Sequence, residues 1–247
     1  MRKERTPGHA NEQGFAPGVR VGAGSLVEDA VLLGSPAPSP GDAGPEIGER
    51  ATIRRGSELH AGVRAGDRLE TGRNVVIAEG TSLGDDCFVG HNTVVGSGCT
   101  IGDRVRIDVN CFIAPLSTLE DDVSVAAGVQ LANDPHPGSR TQLCARGPTL
   151  GRGAQIGVGA TIFPFVEVGA GAFVEPGSVV TESVPAGLVV GGNPARVRGA
   201  VADLRCPLDL PESGYLIEPA PASRPRNERA EERYQAPSRA RSSFGCT

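Results

Sequence analysis

Leu, Ile and Val return at every sixth residue along most of this chain. The longest run starts at Ile47, Ile53 and Leu59 and continues in frame to Leu131. The frame then breaks and resumes as Leu150, Ile156, Ile162, Val168, Val174 and Val180, and a shorter run precedes it at Val21, Val27 and Leu33. Leu, Ile or Val fills 22 of these 24 positions, the exceptions being Ala65 and Thr71. Those three types make up about a fifth of the chain, so about five of the 24 would be filled by chance. The following residue is Gly 12 times and Ala, Asp or Glu another 8 times. The residue four after the aliphatic is small or Val, as in Cys87, Thr93, Cys99, Val105, Cys111, Ser117 and Val123.

A period of six matches neither the 3.6 of a helix nor the simple alternation of a half-buried strand. It does match a short strand followed by a sharp corner, with Gly tolerating the tight backbone there. The aliphatic and the small residue lie two apart across each corner, so both point inward. Taken in threes, the 24 hexads predict eight coils of 18 residues. Stacked at the inter-strand spacing of about 4.8 Å, eight coils make a rod of roughly 40 Å. Both breaks follow the third hexad of a coil, so the insertions 34–46 and 132–149 are expected to leave from one corner. The first is a Pro-rich loop. The second is long for a tightly wound solenoid, and such loops tend to carry function.

Composition agrees. There are 35 Gly and 20 Pro but only 9 aromatic residues, as a narrow prism requires. Cys87, Cys99 and Cys111 take the inward small position and read as core filler. With a vertical repeat of 18 they are not neighbours, so neither a disulfide nor a metal site is expected. A net charge of −5 gives no footprint for nucleic acid. No stretch is apolar enough to span a membrane, and the opening MRKERTPGHANEQG has no secretory h-region. A soluble cytoplasmic protein is the expectation. The domain organisation expected is an N-terminal arm (1–20), a β-helix (21–185), a cap over its open end (186–219) and a polar, Pro-rich disordered tail (220–247).

The [LIV]-[GAED]-x-x-[small]-x hexad resembles the hexapeptide-repeat acyltransferases, which fold as left-handed parallel β-helices. The stretch RGPTLGRGAQIGVGATIFPFVEVGAGAFVEPGSVVTESVPAGLVVGGNPARV is similar to the acetyl-CoA-binding end of that family, with its paired IG hexads, a GAGSVVTKDVP segment and GNPAR. The upstream DVNCFIAPLSTLEDDVSVAAGVQLANDPHPGSR is similar to the branch that N-acetylates amino nucleotide sugars. The resemblance covers roughly 75–200. It implies acetyl-CoA as co-substrate without a metal, an amino-sugar or nucleotide-sugar acceptor, and a homotrimer with clefts between neighbouring β-helices.

The resemblance also implies site residues. His136, in the Pro-flanked Asn133-Asp134-Pro135-His136-Pro137, matches the general base of sugar O-acetyltransferases in this superfamily. A neutral imidazole suits that task near pH 7. Asn133 matches an Asn that touches the reacting groups in the N-acetylating branch, and Asp134 beside it is suited to holding an ammonium. For the donor, Val158 supplies a backbone N–H to the thioester, Gly177, Ser178 and Thr181 match the GAGSVVT segment, and Arg196 of GNPAR meets a CoA phosphate. The chain departs from the pattern at Glu175-Pro176 and at Glu182, where a Lys is usual; a carboxylate there repels phosphate. His91, Asn92 and Asn110 are candidates for the acceptor. Asn74, Asn92 and Asn110 are 18 apart, so they also read as a structural ladder of corner residues in the left-handed region.

Three functional classes compete. One is N-acetylation of an amino sugar, and the second is O-acetylation of a saccharide or small alcohol with His136 as base. The third is a non-catalytic β-helix scaffold, kept open by Glu182 and Glu175-Pro176. A carbonic anhydrase on the same fold needs three zinc-binding His, and the repeat offers only His91.

Overall fold

The computed structural model describes residues 18–34, 43–137 and 144–205. The expected tail (220–247), most of the arm (1–20) and parts of the two insertions and of the cap lie outside the described residues. Each of the 24 aliphatic positions is the second residue of a two-residue strand, from Arg20–Val21 to Val179–Val180. The strands stack into three parallel sheets, here called faces A, B and C, in which each strand pairs with the strand three further along. Face A runs through Val21, Ile47 and Ala65 to Val168, face B through Val27, Ile53 and Thr71 to Val174, and face C through Leu33, Leu59 and Ile77 to Val180. This is an all-β parallel β-helix of eight coils, consistent with the left-handed sense that the resemblance implies.

Register keeps inward residues above inward residues and outward above outward. Phe88 and Val89 face Glu70 and Thr71 below and Arg106 and Ile107 above. The aliphatics form continuous inward ladders, with Ile53, Leu59, Ile77, Ile107, Ile113 and Ile162 all fully buried. Each such side chain contributes about 1.5–3 kcal/mol relative to exposure. The Gly preference after the aliphatic follows from stacking. A Cβ added at Gly90 would lie 2.6 Å from the backbone carbon of Asp108 in the next coil.

The inward small residues do more than fill space. Thr93 Oγ1 donates to the carbonyl of Asp108 at 2.7 Å and accepts the N–H of Cys111 at 3.1 Å. Thr81 does the same with Gly96 and Cys99, and Ser57 with Gly72 and Val75. A buried hydroxyl thus bonds one coil to the next. The three cysteines are core filler, each less than 4% exposed. Their Sγ atoms approach carbonyl oxygens of the coil above, as Cys87 does Gly102 at 3.1 Å. Burial pushes the Cys87 thiol up to about 11.

Beyond Val180 the chain adds a hairpin to face B. Leu188–Gly192 pairs parallel with Phe173–Val174, and Ala195–Ala200 returns antiparallel. Between residues 188 and 200 the expected cap is thus an extension of face B, followed by a short turn at Val201–Asp203.

Thr93→Val keeps the shape of the side chain but leaves the buried N–H of Cys111 without an acceptor. We expect a loss of about 1–3 kcal/mol in denaturant unfolding, against about 2–5 kcal/mol for Ile107→Ala, which opens a cavity in the face B ladder.

Candidate active site

Three edges join the three faces, and they are chemically distinct. The edge between faces A and B is a self-paired polar ladder. The carboxylates of Asp67, Asp85, Asp103 and Asp121, one per coil, accept the N–H groups of Glu49, Asp67, Asp85 and Asp103 at 2.8–3.0 Å. Arg104 makes a two-pronged pair with Asp122, at 2.7 and 3.1 Å, and Arg68 grips Asp86 in the same way. The hydrogen bond from Arg68 holds the Asp86 carboxyl below its ordinary range. The recurrence of Asp every 18 residues is visible in the sequence; its use as a hydrogen-bonded ladder is not.

The edge between faces B and C carries the expected Asn ladder. Asn74, Asn92 and Asn110 have φ of 56°, 57° and 58°. Asn74 Nδ2 donates to Asn92 Oδ1 at 3.1 Å, and Asn92 Nδ2 to Asn110 Oδ1 at 3.4 Å. His91 belongs to the same construction, since its Nδ1 accepts the N–H of Arg73 at 2.7 Å. A neutral His91 then carries its proton on Nε2. That side-chain ladder ends at His91, because Val109 one coil on has no side-chain acceptor, and no group among the described residues accepts the N–H of His91 or Ala127. Val158 stands at the same corner position, followed one coil on by Pro176, which has no side-chain acceptor either. The N–H of Val158 donates to no group among the described residues, and the residue is 56% exposed. Gly177 is held at φ 68° by its N–H bond to Val158 O, with open space where a Cβ would be. Ser178 differs from expectation. It is fully buried, donating to Glu175 O at 2.7 Å and accepting Gly192 N–H at 3.3 Å. It fastens the hairpin to the last coil, and its hydroxyl is out of a ligand's reach.

The edge between faces C and A is the apolar one and the source of both insertions. Pro115 and Leu116 lie one coil below the root of the second insertion, and Phe163, Pro164 and Phe165 one coil above it. Leu116, Phe163 and Phe165 are all exposed. The root is closed by Arg146 N–H donating to Asn133 O at 2.8 Å. Past it, Asp134 Oδ1 accepts the N–H of His136 at 2.7 Å, so the turn is set by the aspartate and the prolines on both sides of His136. Asn133 is half-buried; Asp134 and His136 are exposed. Thr181 and Glu182 are exposed on this same edge, at the last coil.

The expected site residues therefore fall in two groups. His91, Asn92, Asn110, Val158 and Gly177 line the B–C edge. Asn133, Asp134, His136 and Thr181 line the C–A edge. Between them lies face C, one six-residue side, at most about 20 Å at 3.3 Å per residue. Arg196 is exposed on the hairpin at the end of face B.

Residues 80–114 match the family model described as bacterial transferase hexapeptide (six repeats). Serine acetyltransferase 4 of Arabidopsis thaliana is 38% identical over 85 residues, covering 34% of this chain and 22% of the relative. A 2,3,4,5-tetrahydropyridine-2,6-dicarboxylate N-acetyltransferase of Staphylococcus aureus is 41% identical over 80 residues, covering 32% of this chain and 31% of the relative. The chain thus spans less than a third of the length of either. Among solved structures, a UDP-N-acetylglucosamine acyltransferase from Bacteroides fragilis shares the fold, with a TM-score of 0.62 and 14% identity over 75% of this chain and 72% of that one.

Asp86 has a lowered carboxyl pKa, so its pairing stabilises the fold fully above the ordinary carboxylate pKa near 3.9. The contribution is lost as pH falls through the lower, folded value. Melting curves of Asp86→Asn should lie below wild type at pH 7, with the gap closing as the pH is taken below about 4. On these observations the chain carries, over residues 80–114, the hexapeptide repeat of the bacterial transferases.

Proposed function

We propose that the protein is an acetyl-CoA-dependent N-acetyltransferase acting on the amine of an amino sugar, taken as nucleotide-linked. Its sites would be clefts between copies of the chain in a homotrimer. The observation that carries this reading is the exposed Val158 corner, at the place in the motif that the resemblance assigns to the thioester. Its N–H, like those of His91 and Ala127 on the same edge, lacks an acceptor among the described residues; Gly177 leaves room for a close approach, and the insertion-bearing C–A edge presents Asn133 and His136. The matches to an N-acetyltransferase and to serine acetyltransferases support acyl transfer. The amino-sugar acceptor rests on the resemblance of the segment around Asn133.

In this scheme the Val158 N–H donates to the thioester oxygen as negative charge develops on it. Asn133 orients the acceptor amine, and His136 takes its proton. Arg196 draws a phosphate of the donor to the hairpin. A second copy would bring its C–A edge against the B–C edge of the first, joining groups that face C separates within one chain. We place the protein in the cytoplasm. Free thiols at Cys87, Cys99, Cys111 and Cys144 fit a reducing compartment.

A second reading, O-acetylation with His136 as obligatory base, is favoured by one observation, the match to proteins named for acetylating serine. Calorimetry with acetyl-CoA comes first. Binding weakened by Arg196→Ala is expected, and no binding at millimolar donor would overturn both readings. Turnover with amino nucleotide sugars then separates them. For an amine acceptor, Asn133→Ala should cost as much as His136→Ala. A hydroxyl acceptor should make His136→Ala alone severe, about 10²–10⁴-fold. Val158→Pro removes the open N–H at a place in the hexad that Pro176 already occupies one coil on and that Pro115 and Pro164 occupy at the C–A edge. It should fold normally and lose most of its turnover.

A further inference from the structure

The hairpin at the end of face B presents two arginines, and neither guanidinium is bare. Arg196 Nη1 lies 3.8 Å from Glu182 Oε1, and Arg198 Nε lies 3.9 Å from Glu175 Oε2. Glu175 is seated on the hairpin itself, since its carboxylate lies over Gly191 where any side chain would collide with it. Glu182 reaches Arg196 from the C–A edge of the last coil. Both carboxylates are in the segment whose counterparts would be neutral or basic in a plain phosphate site, and both have found a cation in the same hairpin. At these separations the contacts are ionic rather than hydrogen-bonded. Arg196 and Glu182 are also the more exposed pair, at 60% and 78% of their side-chain surface. Such pairs hold weakly, so an anion of higher charge can take the guanidinium from the carboxylate.

We propose that Glu182 is a specificity-determining counter-anion. It occupies the guanidinium of Arg196 in the free protein, and a phosphate of the acyl donor binds there only by displacing it. This rests on the acetyl-CoA reading above. The donor's affinity is then set by the difference between phosphate and carboxylate at Arg196, not by the full attraction of an open arginine. The phosphate that meets Arg196, taken as the one on the ribose of CoA, accordingly contributes less than it would at an open arginine, and the chain prefers CoA over its 3′-dephospho form by less than it would without Glu182. Discrimination between them is held down by Glu182 and is recoverable by removing one charge. Glu175 plays the corresponding part for Arg198 and keeps that second cation from substituting for the first.

The test compares CoA with 3′-dephospho-CoA on wild type, Glu182→Gln and the double variant Glu182→Gln/Arg196→Ala, by calorimetry at low and at physiological salt. Glu182→Gln keeps size and hydrogen-bonding shape at an exposed position, so melting temperature serves as its folding control. We expect it to tighten CoA by about 3–5-fold at low salt, by less at higher salt, and to leave 3′-dephospho-CoA unchanged. The double variant should lose the gain. An unchanged CoA affinity, equal tightening of both nucleotides, or a gain that survives Arg196→Ala would overturn the counter-anion while leaving the acetyl-CoA reading intact. Failure of every protein to bind either nucleotide would overturn that reading and this one with it.

Discussion

Everything in this molecule depends on one spacing constraint: each residue lies about 4.8 Å below its counterpart 18 positions further on, in parallel register. That separation is short enough for identical side chains to touch. It makes aliphatic ladders possible and also obligatory, because a charged or bulky misfit would meet the coils above and below. Glycine follows the aliphatic so often because the next coil's backbone fills the place of its Cβ. The same spacing lets a threonine hydroxyl bond the coil above through both its proton and its lone pairs. Polar groups are admitted to this core only where the repeat supplies their partner.

The constraint also explains where function can sit. A ladder that satisfies itself has its N–H groups engaged already, as along the A–B edge, where four stacked aspartates absorb four backbone N–H groups. Chemistry becomes available where a ladder stops. The B–C edge is such a place, because its side-chain ladder stops at His91 and leaves the N–H groups of His91, Ala127 and Val158 without acceptors among the described residues. The C–A edge is another, because the repeat breaks there and lets a loop out. The two interruptions lie on different edges, which is why the proposed site needs a second copy. The hairpin adds charge at the end of face B, balanced by carboxylates from the last coil.

Much of this was legible in the sequence because the period is so strict. All 24 strand positions, the exit of both insertions from one corner and the left-handed Asn ladder follow from counting by six and by eighteen. The inward cysteines followed too. What could not be read by counting was the direction in which side chains bond. Ser178 matches a motif yet is buried and used internally. His91 is an acceptor for Arg73 N–H, a role that depends on ring orientation and not on spacing. Glu182 reads as a repulsive residue in one dimension and as Arg196's partner in three. Over its described part the expected cap includes a hairpin paired to face B, which counting by six could not show.

The central claim is that the B–C edge of one copy and the C–A edge of another make one site. Co-expression of His136→Ala and Val158→Pro chains with different tags, followed by isolation of the mixed oligomer, tests it directly. Each variant alone should be nearly inactive. If edges from different copies meet, one of the three clefts in every mixed trimer combines two intact edges, so about a third of wild-type turnover should return. A mixed oligomer as inactive as either parent would contradict the account, as would full activity in a wild-type monomer.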